Sequence, residues 1–117
     1  MKEYVAQHPE LFSLPRGTES EPEYRLPSAD RLDVLFLAEN TWVGVEVKSR
    51  ISKPEEILRG LFQCVKYRAL IEADRVTQDL PRGARVFLAV EGKLPSELVP
   101  IRDLLGIDVV EDVVVPP

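Results

Sequence analysis

The sequence predicts a mixed α/β domain in which helices flank a central sheet. Short apolar runs rich in valine and leucine alternate with segments of helical periodicity, a pattern typical of such domains. One long helical segment separates two apolar runs, and its length suits a crossover between parallel strands. At 117 residues the chain is long enough for one hydrophobic core, so a single domain over residues 1–117 is predicted.

The predicted elements follow the order α-β-β-β-α-β-α-β. Helices are assigned where apolar residues recur every three or four positions, and strands where short apolar runs are bounded by turn residues. Proline, glycine and acidic clusters mark turns in residues 15–23 and 27–30. In chain order the segments are a helix in 1–14, a strand in 23–27, an antiparallel hairpin of strands in 31–40 and 42–50, a helix in 52–76, a strand in 86–90, a short helix in 94–107 and a strand in 107–115.

The long helix has the clearest local signals. Ser52 is the predicted N-cap and Pro54 the first helical residue, while Gly60 in the interior indicates a close backbone approach. In the short helix, Ser96 is the predicted cap and Gly106 the stop. The predicted apolar stripe of the long helix consists of Leu58, Leu61, Phe62, Val65, Ala69 and Leu70.

Composition limits the kinds of site that the chain can form. It has one cysteine and one histidine, so an internal disulfide is impossible, a thiolate or imidazole zinc site is disfavoured, and any metal should be Mg²⁺ or Mn²⁺. No apolar run reaches the roughly 18 residues of a membrane-spanning helix and no secretory signal is evident, so a cytoplasmic location is expected. The net charge is −5, but residues 48–85 carry nine Lys/Arg against five Asp/Glu, which permits a local polyanion-binding surface.

Three polar residues are expected to meet at one edge of the sheet. Asp33 lies at the start of one hairpin strand, and Glu46 and Lys48 lie toward the end of the other, so antiparallel pairing brings them together. Two carboxylates beside a buried sheet repel each other unless a cation lies between them. Taken alone, a glutamate and a lysine two positions apart more often form a solvated ion pair.

These residues resemble the signature of a known nuclease superfamily. "RLDVLF", followed after a short interval by "EVK", resembles the metal-binding motif of the PD-(D/E)XK nucleases, with Leu32 where many members have proline. "QCVKY" is similar to the QxxxY element of their RecB-like branch, and "KEYVAQHPELF" is similar to their first helix. The resemblance covers residues 3–90 and implies a restriction-endonuclease-like core.

The resemblance implies a Mg²⁺- or Mn²⁺-dependent nuclease that hydrolyses phosphodiester bonds, with DNA as the expected substrate. Lys48 would orient or deprotonate the attacking water and stabilise charge in the transition state. The implied metal ligands are Asp33, Glu46, the Val47 carbonyl and Glu3, and the implied catalytic set is Asp33, Glu46, Lys48, Gln63 and Tyr67. The residues expected to contact nucleic acid are Arg50, Lys53, Arg59 and Lys66.

Two other functions remain open from the sequence. The chain could keep the nuclease fold as a nucleic-acid-binding or scaffolding module that does not cut; the intact set of Asp33, Glu46 and Lys48 argues against this, but the acidic net charge keeps it open. It could also be an unrelated small α/β interaction domain in which the three residues are a surface accident. The choice between DNA and RNA is open, and a homodimer is a further hypothesis, because a minimal nuclease needs a second copy to cut two strands.

Overall fold

The computed structural model describes residues 1–28, 30–81 and 83–117, and it is a mixed α/β domain built on one five-stranded sheet. Ala29, which falls in the predicted turn of residues 27–30, and Arg82 lie outside the described residues. The helices are α1 (Lys2–Ala6), α2 (Pro54–Thr77) and α3 (Val99–Leu105), and the strands are β1 (Ser20–Pro22), β2 (Val34–Leu37), β3 (Trp42–Lys48), β4 (Ala84–Val90) and β5 (Asp108–Val110). Short 3-10 turns occupy Pro9–Phe12 and Ser96–Leu98.

The five strands lie side by side in sequence order. β1, β2 and β3 are antiparallel neighbours, whereas β3, β4 and β5 are parallel. Helix α2 provides the long connection that parallel β3 and β4 require. The predicted order of elements, the β2–β3 hairpin and the crossover are therefore confirmed.

The sheet has an apolar core on each face. Along β2, Val34 and Phe36 face one side and Leu35 the other, so this strand is buried on both faces. The face toward α2 and α3 is filled by Leu32, Leu35, Leu61, Ile71 and Leu88 among others. The opposite face packs on α1 and the first 3-10 turn through Val5, Phe12, Val34, Val45 and Phe87 among others.

Helix α2 begins as predicted at Pro54, but its cap and its buried face differ from the prediction. Lys53 is the N-cap residue and no side chain caps the helix, so the assignment of Ser52 was wrong. Of the predicted stripe only Leu61 is fully buried, and Phe62 is 54% exposed. The buried face is instead formed by Ile57, Gly60, Leu61, Cys64, Tyr67, Ile71, Asp74 and Arg75. Because apolar residues occur all round this helix, packing on the sheet and not hydrophobicity selects the inner face.

The first segment is less regular than predicted. Its helix ends at Ala6, because His8 precedes Pro9 and has the extended φ of −129° that a proline imposes on its neighbour. The first strand forms at Ser20–Pro22, inside a predicted turn, and the predicted strand in 23–27 keeps only an isolated bridge. Pro22 is tolerated because β1 is an edge strand.

The C-terminal part follows its predicted order. Ser96 lies within a 3-10 turn and caps nothing with its side chain, so that prediction was wrong. Gly106 ends α3 with a left-handed φ of 66°, as predicted. Among the described residues, none of the helices combines the length and apolarity needed to cross a membrane.

A buried arginine fastens the far end of α2 to two loops. Arg75 is 1% exposed, and its Nε donates to the Pro81 carbonyl at 2.7 Å. Its Nη2 lies 3.4 Å from the Asn40 carbonyl, and its guanidinium lies over the Trp42 ring at 5.3 Å. The cation therefore joins the turn between β2 and β3 to the loop that precedes β4.

We expect Arg75→Met to lower the free energy of unfolding by about 2–4 kcal/mol, because it leaves two carbonyls without their donor in a buried setting. Arg59→Met, on the exposed side of the same helix, is the matched control and should change it by less than about 0.5 kcal/mol. Urea denaturation of both variants measures the difference. Equal stability of the two variants would contradict a structural role for Arg75.

Candidate functional site

Asp33 and Glu46 face each other where the β2–β3 ladder ends. The register pairs Val34 with Val45, so the next positions along the two strands are those of Asp33 and Glu46. At this point the Val47 amide donates to Asp33 Oδ2 at 2.7 Å, instead of to a backbone carbonyl of β2. The Asp33 side chain thus closes the ladder and is held beside Glu46.

The two carboxyl groups have opposite pKa shifts. Burial raises the pKa of Glu46 to about 8, and hydrogen bonding to Asp33 and repulsion from its charge add to the shift. Burial opposes ionisation of Asp33 as well, but hydrogen bonds from Glu46, the Val47 amide and Lys2 outweigh it and hold its pKa below the ordinary value. At neutral pH the pair therefore shares one proton, and the raised pKa of Glu46 makes it the favoured holder.

Lys2 is a member of this site that the sequence did not reveal. Its Nζ lies 3.1 Å from Asp33 Oδ1 and 3.7 Å from Glu23 Oε1. The hydrogen bond and the charge of Asp33 raise the pKa of Lys2. A cation therefore already lies against the outer oxygen of Asp33. Helix α1 has only five residues, which is too short for hydrophobic periodicity to show which of them faces the sheet.

Glu3, which the resemblance implied as a metal ligand, lies elsewhere. Its side chain is 85% exposed, and its carboxylate is 3.7 Å from the Met1 amine. Neighbouring positions on a helix differ by about 100°, so α1 directs Lys2 and not Glu3 toward Asp33. In the part of the chain that the structure describes, no hydrogen bond or ion pair joins Glu3 to Asp33 or Glu46.

Lys48 reaches the site along the surface of α2. It points to the same face of β3 as Glu46, and its side chain crosses α2 at Gly60. A Cβ at Gly60 would lie 3.0 Å from Lys48 Cε and 3.2 Å from Leu88 Cδ1. The predicted close approach at Gly60 is therefore confirmed, and the neighbour that needs the space is Lys48.

Tyr67, on the flank of α2, lies close enough to Glu46 and Asp33 for their charges to act on it, and Gln63 lies one turn earlier on the same helix face. Tyr67 donates its hydroxyl to the Arg31 carbonyl at 3.2 Å, and burial together with repulsion from Glu46 raises its pKa. Within the described residues, the buried Gln63 Oε1 has no hydrogen-bond partner. A buried acceptor without a donor is costly, which makes it a position where a donor or a cation would be stabilised.

The four basic residues expected to contact nucleic acid surround this end of the sheet. Arg50 and Lys53 are exposed in the connection between β3 and α2, and Arg59 is exposed on α2. Lys66 pairs with Asp30 at 3.1 Å, so its charge is partly compensated. All four side chains are exposed to solvent.

No model of a known protein family matches the chain, and no curated protein matches it. An assignment of function therefore depends on the geometry of the site. The strongest element of that geometry is the half-buried pair of carboxyl groups, with the Lys2 ammonium in contact with Asp33 and the charge of Lys48 close enough to favour ionisation of Glu46.

The donor set is suited to a hard divalent cation. Carboxylate and carbonyl oxygens are the ligands that Mg²⁺ prefers, and a divalent charge would relieve the repulsion between Asp33 and Glu46. Among the described residues, no group of three or more His, Cys, Asp or Glu is arranged to hold a metal. A bound cation would therefore be coordinated by two carboxylates, and its remaining ligands would be oxygens such as the Val47 carbonyl and water molecules.

We expect Glu46 to make the stability of the chain depend on pH. Folded Glu46 keeps its proton up to about pH 8, whereas the unfolded residue loses it near pH 4.5. The stabilisation of the folded state by protonated Glu46 is therefore complete below about pH 4.5 and is lost as the pH rises to about 8. The free energy of unfolding should fall by at most about 1.4 kcal/mol per pH unit in that window. The lowered pKa of Asp33 acts in the opposite direction and only below about pH 4.

Glu46→Gln should abolish this slope, because an amide can donate to Asp33 at every pH. Urea denaturation between pH 5 and pH 9 in the presence of a chelator measures it, and the exposed Glu97→Gln should keep the wild-type slope. An unchanged slope in Glu46→Gln would show that Glu46 does not hold the proton.

Proposed function

We propose that the chain is a Mg²⁺- or Mn²⁺-dependent nuclease of the PD-(D/E)XK superfamily that hydrolyses phosphodiester bonds, with DNA as its substrate. The observation that carries the proposal is the half-buried Asp33–Glu46 pair, with Lys48 two residues further along the same strand. Few structural needs are met by two carboxyl groups held side by side at the end of the β2–β3 hairpin, where one of them must carry a proton. A cation-binding catalytic site explains them.

The topology supports a restriction-endonuclease-like fold. A hairpin, a long helix and a parallel strand follow one another, and the proposed catalytic residues lie at the end of the hairpin. The order of elements is the one that the resemblance of residues 3–90 implies. This is a proposal about fold family that goes further than the mixed α/β architecture itself.

Asp33, Glu46 and the Val47 carbonyl would hold the cation. When bound, Mg²⁺ or Mn²⁺ polarises a phosphoryl oxygen and lowers the pKa of a coordinated water. Asp33 is already ionised at neutral pH, and Glu46 must release its proton before it can become a ligand. Glu3 is not needed in this arrangement, because its carboxylate is exposed beside Met1.

Lys48 would orient the attacking water and stabilise the negative charge that develops on the phosphoryl group. Gly60 leaves room for the Lys48 side chain, so the aliphatic part of Lys48 packs between β3 and α2. A fixed cation is effective because it requires no reorganisation as the charge develops. Gln63 and Tyr67 would support the site from α2, with the unpartnered Gln63 Oε1 available to a donor or to the cation. The exposed Arg50, Lys53 and Arg59, together with Lys66, would contact phosphates.

One observation favours a second candidate, a module that binds nucleic acid without cutting it. The Lys2 ammonium lies 3.1 Å from Asp33 Oδ1, where it neutralises the carboxylate without any metal. In that case the ion pair is a permanent structural contact. Divalent cations would then neither stabilise the chain nor support cleavage.

Cleavage of plasmid DNA and of single-stranded DNA with Mg²⁺ or Mn²⁺ tests the nuclease proposal. We expect Lys48→Ala, Glu46→Ala and Asp33→Asn each to lower the rate at least about 100-fold, because Asp33 and Glu46 would hold the metal and Lys48 would stabilise the charge that develops on the phosphoryl group. Glu97→Ala, an exposed residue far along the chain, should keep the wild-type rate. Cleavage that survives any of the three substitutions would contradict the mechanism, and wild-type protein that binds DNA but never cuts it would favour the second candidate.

We expect Lys2→Met to bind Mn²⁺ about two- to fivefold more tightly than wild type, because its partly exposed ammonium competes with the metal for Asp33. Calorimetric titration measures the affinity, with Lys93→Met, a surface lysine paired to Asp112, as the control. Unchanged or weaker binding would show that Lys2 does not compete.

A further inference from the structure

A tight turn directly after β3 presents an apolar side chain to solvent. The Ser52 amide donates to the Ser49 carbonyl at 3.1 Å, so Arg50 and Ile51 occupy the two central positions of a β-turn. Ile51 is 90% exposed, more than any other large apolar side chain in the described residues. Turn tips favour Gly, Asn, Asp and Ser, and an isoleucine there contributes nothing to the folded core.

The turn is fixed to the sheet by Glu91. The Arg50 amide donates to Glu91 Oε1 at 2.7 Å, and the Glu91 amide donates to the Lys48 carbonyl at 3.0 Å. One residue at the end of β4 therefore holds both the end of β3 and the turn that follows. The turn that presents Ile51 is thus held in place by these hydrogen bonds.

Two basic residues flank Ile51 in this segment, Arg50 before it and Lys53 after it, and residues 48–53 contain no acidic residue. Glu91 accepts from the Arg50 amide and keeps its charge, and Glu55 and Glu56 follow in the first turn of α2. The side chains that the turn itself presents are thus an apolar residue between two cations, a pattern that suits phosphates on either side of a base step.

We propose that Ile51 is an apolar wedge that enters between neighbouring bases of a nucleic-acid duplex, while Arg50 and Lys53 bind phosphates on either side of it. Side chains of this kind unstack a base step when cations hold the backbone next to it. The inference rests on the proposed function, because it assumes that the occupant of this end of the sheet is a nucleic acid.

The reach of the wedge follows from its position in the chain. Ile51 is three residues after Lys48, so their Cα atoms are at most about 11 Å apart. With bases spaced about 3.4 Å along a strand, the unstacked step lies within about three nucleotides of the phosphate next to Lys48. The wedge would therefore favour substrates whose bases are easily unstacked near the cut.

A duplex of about 20 base pairs that carries 2-aminopurine, a base whose fluorescence rises on unstacking, tests the proposal. Binding is measured with a chelator present, so that no cleavage occurs. We expect wild type to raise the emission, and Ile51→Ser to bind about tenfold more weakly with little or no rise. Ile51→Leu should behave as wild type. Leu104→Ser, an 85% exposed apolar residue on α3, is the matched control and should also behave as wild type.

The outcomes separate this inference from the nuclease proposal. Ile51→Ser that binds and unstacks the duplex like wild type would overturn the wedge, as would wild-type protein that does not bind the duplex. A wild-type protein that unstacks the duplex but does not cleave with Mg²⁺ or Mn²⁺ would keep the wedge and refute the nuclease. Because Ile51 is almost fully exposed, Ile51→Ser should melt at the wild-type temperature, which excludes misfolding as the cause.

Discussion

The hydrogen bond from the Val47 amide to Asp33 Oδ2 is the contact on which the site depends. A backbone amide at the end of β3 needs an acceptor, and β2 supplies a side chain in place of a carbonyl. Asp33 is thereby fixed in its ionised form next to Glu46 and cannot turn away to solvent. Burial of the pair then requires that a proton or a cation compensate the second charge.

The neighbouring elements place cationic side chains near the carboxyl pair. Lys2 of α1 approaches Asp33 from one side, and Lys48 approaches from the α2 face, where Gly60 leaves space for its stem. The same end of the sheet carries the turn with Arg50 and Ile51, held by Glu91. A hairpin end, two helices and a parallel neighbour thus bring cationic groups together around one shared proton. These cations suit the stabilisation of a phosphoryl group, whereas the two carboxyl groups between them suit a metal ion.

Much of this arrangement could be predicted from the sequence, because it depends on local pattern. Antiparallel pairing alone brings Asp33 opposite Glu46, and the alternation of β3 directs Lys48 to the same face as Glu46. Other features depend on packing that the pattern does not encode. The inner face of α2 could not be chosen from hydrophobicity, since Phe62 is as apolar as the residues that are buried. The contact of Lys2 with Asp33 depends on how a five-residue helix lies against the sheet, which no local signal specifies.

We propose that Asp33 and Glu46 share a proton which a divalent cation replaces. Calorimetric titration of Mn²⁺ in two buffers of different ionisation enthalpy counts the protons released on binding. With the pKa of Glu46 at about 8, we expect nearly one proton released per bound cation at pH 7 and almost none above about pH 9. Binding without proton release at pH 7, or no binding at millimolar Mn²⁺, would contradict the claim.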